Sequence, residues 1–356
     1  MYVKEISIEN FRNFAKLQVL LENGINIVYG DNANGKTNLI EAIYFCATGR
    51  SQRAKHNKEL IRFGCGEAHL QAVMDKFLID VHIFQEGKKK GIAVDHIPIK
   101  KLSQLFGLLL VVIFTPEDLR IIKSGPGERR AFMDVELCQL NSVYYHALRQ
   151  YYKALKQRNN LLRAIPKDRS LKATLEVWDA PLCQYGMQIM EHRAGFIEDI
   201  SEIAADIHAH ITGGKEKLLL EYNPQIIDNY EERLKRTVER DIMLGSTSAG
   251  IHKDDVAFSI NGNDVRTYGS QGQQRTAALS VKLAEIELIK GRTGKTPVLL
   301  LDDVLSELDE SRQKFLFNHI GDLQTVLTCT GVEDILKNID GKTMKMTEGA
   351  ISGIHS

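Results

Sequence analysis

Acids and bases cancel in this 356-residue chain, where 46 Lys and Arg stand against 46 Asp and Glu. No global positive field announces a nucleic-acid partner, so any such surface has to be a local patch. Cysteines are few and single. Cys46, Cys65, Cys138, Cys183 and Cys329 form no C-x-x-C pair and share no zinc-like spacing with histidine, which points to reduced thiols in a cytoplasmic protein. Long apolar runs are missing as well: Leu108 to Phe114 and Val298 to Leu301 are too short to span a bilayer, so no membrane partner is expected. The opening Tyr2 to Ile8 alternates like a strand and does not read as a basic, apolar leader, and no secretory signal is expected. There is no internal repeat and no low-complexity tract. What is present in quantity is hydrophobic content, 43%, enough to fill a sizeable core and to exclude a disordered chain.

The chain reads as three stretches. Tyr2 to Ile8, Leu17 to Leu21 and Ile25 to Tyr29 predict strands, and after a glycine-rich turn Thr37 to Thr48 carries Leu39, Ile40, Ile43, Tyr44 and Ala47 at helical spacing. Ala68 to Pro98 returns to short strands, with Gln85 to Gly91 as a basic hairpin tip. From Arg129 the pattern turns helical. Tyr144, Leu148, Tyr151 and Leu155, then Phe196, Ile200, Ile203 and Ile207, predict two helices joined near Pro166-Lys167-Asp168, without the heptads of a long coiled coil. Past about Leu244 strands resume, ending with Val298 to Leu301 and Thr325 to Thr328. The expectation is an α/β core interrupted by a helical arm lobe: residues 1–125, the lobe at 126–243, and 244–356.

Gly30-Asp31-Asn32-Ala33-Asn34-Gly35-Lys36-Thr37 fits G-x-x-x-x-G-K-[ST] between a predicted strand and a predicted helix. Backbone N–H groups of Asn32 to Thr37 would wrap phosphates at a helix N-terminus, where free donors and the macrodipole favour negative charge. Lys36 would reach the β and γ oxygens of ATP, and the Thr37 hydroxyl would ligate Mg²⁺. Val298 to Leu301 then leads into Asp302-Asp303, two carboxylates at the C-terminal end of a buried strand, where ligands of open α/β sheets bind. Asp302 suits the metal, and Asp303 suits the attacking water. Taken alone, each could instead be an ordinary turn or cap. A third element, Gly269 to Arg275, precedes a helix and places Ser270, Gly272 and Gln273 at its start; by itself a Ser-x-Gly helix start is a routine cap.

The order of these parts (cradle, long interval, S-Q-G-Q, apolar strand with Asp-Asp, then Ser306-Glu307-Leu308-Asp309) resembles the ABC-type ATPase head shared with the SMC-like DNA-repair ATPases. The resemblance covers nearly the whole chain through Ile8 to Phe14, Glu41 to Tyr44, Thr115 to Leu119, Gly127 to Asp134, Leu155 to Asn159 and Leu305 to Asp309. It implies an ABC-type P-loop head carrying a short helical lobe where relatives carry a coiled coil. It further implies that Ser270, with Gly272 and Gln273, touches the γ-phosphate held by a second copy, so that ATP joins two heads and hydrolysis parts them. Implied partners are double-stranded DNA and single-strand to double-strand gap junctions, the mediators RecR and RecO, and through them RecA, in repair, replication, recombination and the SOS response. Two stretches depart from the pattern. Gly250 to Asp255 reads G-I-H-K-D-D where relatives read G-P-H-R-D-D, and Leu327 to Gly331 ends without the switch histidine of many ABC ATPases, which implies a weak, DNA-stimulated ATPase.

For DNA, the candidate contacts are Arg50, Arg53 and Lys55 after the first helix, Lys88, Lys89 and Lys90 at the hairpin tip, and Arg158 and Arg163 on the arm, each of which could equally be a solvated face. Two competing readings are a transporter-energising ATPase and a P-loop kinase. The first lacks a membrane segment, and the second has no use for S-Q-G-Q and S-E-L-D together.

Overall fold

The computed structural model describes residues 2–85, 90–321, 323–331 and 340–355. Two compact units emerge: Met1–Asp118 with Glu285–Ser356, and Leu119–Ala284. The first unit opens with β1 (Val3–Phe11), β2 (Phe14–Leu20), β3 (Ile25–Tyr29), α1 (Lys36–Thr48), β4 (Glu67–Met74), β5 (Leu78–Phe84), β6 (Gly91–Val94), β7 (Ile97–Pro98) and β8 (Val111–Phe114). The second holds α2 (Arg120–Lys123), α3 (Pro126–Leu140), α4 (Ser142–Ala164), α5 (Glu176–Thr212), β9 (Leu218–Asn223), α6 (Tyr230–Leu244), β10 (Asp255–Ile260), β11 (Asn263–Asp264), α7 (Val265–Tyr268) and the beginning of α8 (Gln271–Thr293). The chain then re-enters the first unit through β12 (Val298–Asp302), α9 (Glu310–Ile320), β13 (Thr325–Cys329), β14 (Lys342–Thr347) and β15 (Ala350–His355).

Two six-stranded sheets build the first unit. The antiparallel one runs β2-β1-β4-β5-β6-β7, and its strands alternate as half-buried strands do: β1 buries Val3, Ile6 and Ile8, and β4 buries Ala68, Leu70, Ala72 and Met74. The other runs β15-β14-β3-β13-β12-β8, parallel from β14 to β8 with β15 antiparallel at the edge. Its inner strands β12 and β13 are buried at every position, which explains their mainly apolar composition; the polar exceptions are Asp302 at the end of β12 and Thr325 and Thr328 on β13. α1 touches strands of both sheets and is buried nearly all round. Leu39, Ile40, Ile43 and Phe45 are at most 1% exposed, and burying such a side chain stabilises by roughly 1.5–3 kcal/mol each. One consequence of the strand order matters for function. Because β13 lies between β3 and β12, Thr328 stands opposite both Val28 and Asp302, and the C-terminal ends of three strands come together.

In the second unit the expected helical pair is present as α4 and α5, the latter 37 residues long. Asn141 caps α4 by accepting the Val143 and Tyr144 amides, and Gly213 at φ +62° ends α5 in the left-handed conformation that glycine adopts freely. Ile203 is only partly buried, whereas Phe196, Ile200 and Ile207 are core. The lobe is not purely helical, and its boundaries differ from 126 and 243. β9 pairs with β10, Leu220 opposite Phe258, so the strands after Leu244 extend the lobe's own three-stranded sheet, β11-β10-β9, and the unit keeps the start of α8.

Candidate functional site

The glycine-rich loop leaves β3 and opens α1, and its shape is dictated by close backbone approaches. A Cβ on Gly30 would lie 2.2 Å from the Met346 carbonyl oxygen, and one on Gly35, at φ +104°, would lie 2.6 Å from Asn13 Nδ2. Neither position accepts a side chain. Asn34 fastens the loop to the β14–β15 turn: its Nδ2 donates to the Met346 carbonyl at 3.2 Å, and its own carbonyl accepts the Gly349 N–H at 3.1 Å. No side chain caps the N-terminus of α1, which leaves an anion-attracting helix start. Lys36 is 7% exposed, and its ammonium donates to the carbonyls of Gly30 at 2.6 Å and Asp31 at 2.9 Å, folded over the loop it belongs to.

Beside the loop, Asp302 Oδ1 accepts hydrogen bonds from the Thr37 hydroxyl at 2.9 Å and the Thr328 hydroxyl at 2.8 Å. Burial holds the Asp302 carboxyl above the usual carboxylate range, against the pull of those hydroxyls and of Arg53. Asp303 is left-handed at φ +53°, and its N–H donates to Thr328 Oγ1 at 3.1 Å. Ser306, from the S-E-L-D stretch, donates to the Asp303 carbonyl at 2.8 Å, and Asp309 caps α9 through the Arg312 amide. The Cys329 thiol ends β13; burial pushes it up to about 11, opposed by Lys36, so it is neutral at pH 7. Phosphates and Mg²⁺ fit what is present: a glycine-bounded loop leading into an uncapped helix start, the Lys36 ammonium, and hard oxygen donors on Thr37 and Asp302. Among the described residues no group of three or more His, Cys, Asp or Glu could hold a metal, so phosphate oxygens and water would complete its shell.

Ser270, Gly272 and Gln273 lie in the second unit at the start of α8, with Ser270 exposed. They form a reciprocal cap: the Gln273 N–H donates to Ser270 Oγ at 3.2 Å, and the Ser270 N–H donates to Gln273 Oε1 at 2.9 Å. Gln273 Nε2 also donates to Glu216 at 2.9 Å. A Cβ on Gly269 would meet the Val265 carbonyl oxygen at 2.5 Å, so the turn into the helix is closely fitted.

The basic candidates divide. Arg50, Arg53 and Lys55 are exposed, and Arg53 donates to Asn38 Oδ1 at 3.3 Å. Lys88 and Lys89 lie outside the described residues. Lys90 turns inward: its ammonium meets the Gly49 carbonyl and lies 5.3 Å from the Phe45 ring centroid, and burial with Arg50 nearby lowers its pKa to about 8. Arg158 is not a DNA contact. It is fully buried, with Nε 2.6 Å from Asp179 and Nη1 2.7 Å from Asp241, the ionic partners that a buried guanidinium requires. Arg163 is exposed and donates to Asn160.

Two functional positions escaped the sequence reading. Thr328 positions both acids, and the only signal for it is a hydroxyl near the end of a strand buried on both faces. Arg12 clasps Glu41 with two hydrogen bonds, 2.9 and 2.8 Å, joining the β1–β2 turn to α1 directly behind the loop. That pair gives a physical reason for the Ile8–Phe14 and Glu41–Tyr44 stretches.

The family model described as RecF/RecN/SMC N terminal domain matches residues 2–348. A protein of Agathobacter rectalis named DNA replication and repair protein RecF is 50% identical over 343 residues, covering 95% of this chain and 94% of that one. The structure of the recombination mediator protein RecF-ATP in the RecFOR pathway superposes with a TM-score of 0.92 at 34% identity, covering 99% of this chain and 97% of that one. A Smc head domain from Pyrococcus furiosus, bound to the C-terminal domain of ScpA, shares the fold at a TM-score of 0.58 and 17% identity, over 100% of this chain and 96% of that one.

Proposed function

The chain belongs to the RecF family of DNA replication and repair proteins, an SMC/ABC-type ATPase group, and on that premise we propose that it is an ATP-driven DNA clamp of recombinational repair. One observation carries the reading: the phosphate cradle is built in one compact unit, while Ser270 stands exposed on a preorganised helix start in the other. Two copies related by a twofold axis would each supply Ser270, Gly272 and Gln273 to the nucleotide held by Lys36 of the other. ATP would then serve as part of the dimer interface, and its hydrolysis would release the pair. The relative solved with ATP supports ATP as the nucleotide.

Each residue has a role that its surroundings permit. Lys36, which rests on the Gly30 and Asp31 carbonyls, would turn to the β and γ oxygens, loop N–H groups would take the remaining phosphate charge, and Thr37 and Asp302 would hold Mg²⁺. Mg²⁺ held by those two residues would supply positive charge to offset the negative charge developing on the phosphates. Asp303 accepts the proton of the attacking water. Thr328 anchors both residues, donating to the Asp302 carboxylate and accepting the Asp303 N–H. With no histidine from Leu327 to Gly331, the proposed ATPase is a weak one that DNA stimulates. DNA, both duplex and gap junctions, is the proposed track, with exposed Arg50, Arg53 and Lys55 among its contacts. RecR and RecO are the proposed protein partners leading to RecA, in the cytoplasm; no described helix is long and apolar enough to cross a membrane.

The decisive measurement is size by light scattering with ATP, with ADP and without nucleotide. Dimers are expected with ATP alone. Ser270→Arg should still bind ATP as a monomer while losing pairing by about thirtyfold or more, because the new side chain is bulky and cationic at the shared face. Pairing of that variant at wild-type ATP concentrations would remove the shared-site reading.

A further inference from the structure

The segment following α1, residues 50–64, gathers Arg50, Arg53, Lys55, Lys58 and Arg62 against a single carboxylate, Glu59. That carboxylate is turned onto the Lys55 and His56 amides, at 3.3 and 3.2 Å. The run ends in a tight turn, Arg62 to Cys65, closed by the Cys65 N–H on the Arg62 carbonyl at 3.0 Å, with Gly64 at φ +82° in the third position as a type II turn requires. At the second position stands Phe63, 101% exposed.

Single apolar residues on a surface are ordinary. Phe63 differs in how firmly it is presented. The Arg62 N–H donates to the Asn10 carbonyl at 2.8 Å, the Arg12 N–H donates to the Leu60 carbonyl at 2.7 Å, and Phe11 and Ile61 form a bridge on the same edge. Cys65 Sγ adds a contact to Asn10 Oδ1 at 3.4 Å. An aromatic side chain is thus carried at the apex of a turn whose backbone is anchored to β1, contributing nothing to the core, at the end of a cationic approach. Aromatic rings set among cations bind nucleic acid by stacking on bases, and a stack requires an open base face. The interior of a duplex offers none; a single strand or the step where a duplex ends offers one.

We propose that Phe63 stacks on the exposed base at a single-strand to double-strand junction while Lys55, Lys58 and Arg62 hold the adjoining phosphates. The inference rests on the DNA-clamp reading and gives that reading a residue that discriminates a junction from plain duplex. Its test is fluorescence anisotropy on the full chain with Mg²⁺ and a slowly hydrolysed ATP analogue, using labelled gapped duplex and fully paired duplex of the same sequence. Phe63→Ala is expected to weaken gapped DNA about tenfold and paired duplex less than about twofold, the size of one lost base stack. Phe63→Trp, made with the single native tryptophan changed by Trp178→Phe, is expected to keep junction affinity, with emission quenched by gapped DNA and not by duplex. Equal loss on both DNAs, or no loss on either, overturns the proposal; the second result would instead mark Phe63 as a protein contact. Failure of the unaltered chain to bind any DNA is a separate outcome, which overturns the clamp reading together with this one.

Discussion

Replacing Arg193 by methionine is expected to destabilise the second unit by about 3–5 kcal/mol, the usual cost of leaving a buried charge without its partner. The guanidinium is fully buried on α5 and donates to four groups: Asp254 Oδ2 at 3.0 Å, Asp134 Oδ1 at 2.8 Å, the Ile251 carbonyl at 2.8 Å and the Tyr144 hydroxyl at 3.1 Å. Methionine fills much of the volume but leaves Asp254, itself fully buried, with the Gln225 amide and the Tyr222 hydroxyl as its remaining donors among the described residues. Burial already holds the Asp254 carboxyl above the usual carboxylate range, and without the guanidinium it should rise further. The sign of the pH effect follows. An acid whose folded pKa is raised binds its proton more tightly when folded, so the penalty is full above that raised pKa and fades as pH falls toward the unfolded value of about 4. The loss should therefore be larger at pH 8 than at pH 5, in urea unfolding followed through Trp178 on α5. A change below about 1 kcal/mol at pH 8 would show that the network contributes little. Adding Asp254→Asn to the variant should return part of the stability.

That network shows where sequence reasoning stops. The glycine-rich loop and the acidic strand end were legible because their pattern is local: eight consecutive residues make the loop, and a strand of five ends in Asp302 with Asp303 directly after it. The central sheet followed from strand-like runs now seen as β3, β12 and β13. Arg158 and Arg193 were illegible because a lone charge on an amphipathic helix reads as solvent-facing; only long-range folding supplies Asp241 for one and Asp254 for the other. Thr328 owes its role to the insertion of β13 between strands distant in the chain, an order that no spacing encodes. Lys90 reads as a hairpin-tip charge, and the Gly49 carbonyl draws it inward. In Ser270 to Gln273 the S-x-x-Q pattern is a helix cap within one chain, and under the proposed pairing the same cap would hold the Ser270 hydroxyl in place for a second copy.

Asp303→Asn is expected to cut ATP turnover roughly a thousandfold, about 4 kcal/mol of barrier, while ATP binding and ATP-dependent pairing persist. Asparagine is the substitution that isolates the chemistry. Asp303 sits at φ +53°, a conformation that asparagine, like aspartate, adopts more readily than other non-glycine residues, so the N–H bonds to Thr328 and the acceptance of Ser306 by its carbonyl should survive. The metal side of the site is untouched, because Thr37 and Thr328 both act on Asp302. What is lost is a negative oxygen able to take a proton from water, and an amide cannot replace it. Phosphate release should therefore collapse with or without DNA, while light scattering finds a dimer that outlives the wild-type one, since pairing is then no longer terminated by cleavage. Turnover within tenfold of wild type would place the base elsewhere. A variant that fails to pair with ATP would mean instead that Asp303 contributes to nucleotide binding, and the separation of roles between the two neighbouring acids would have to be abandoned.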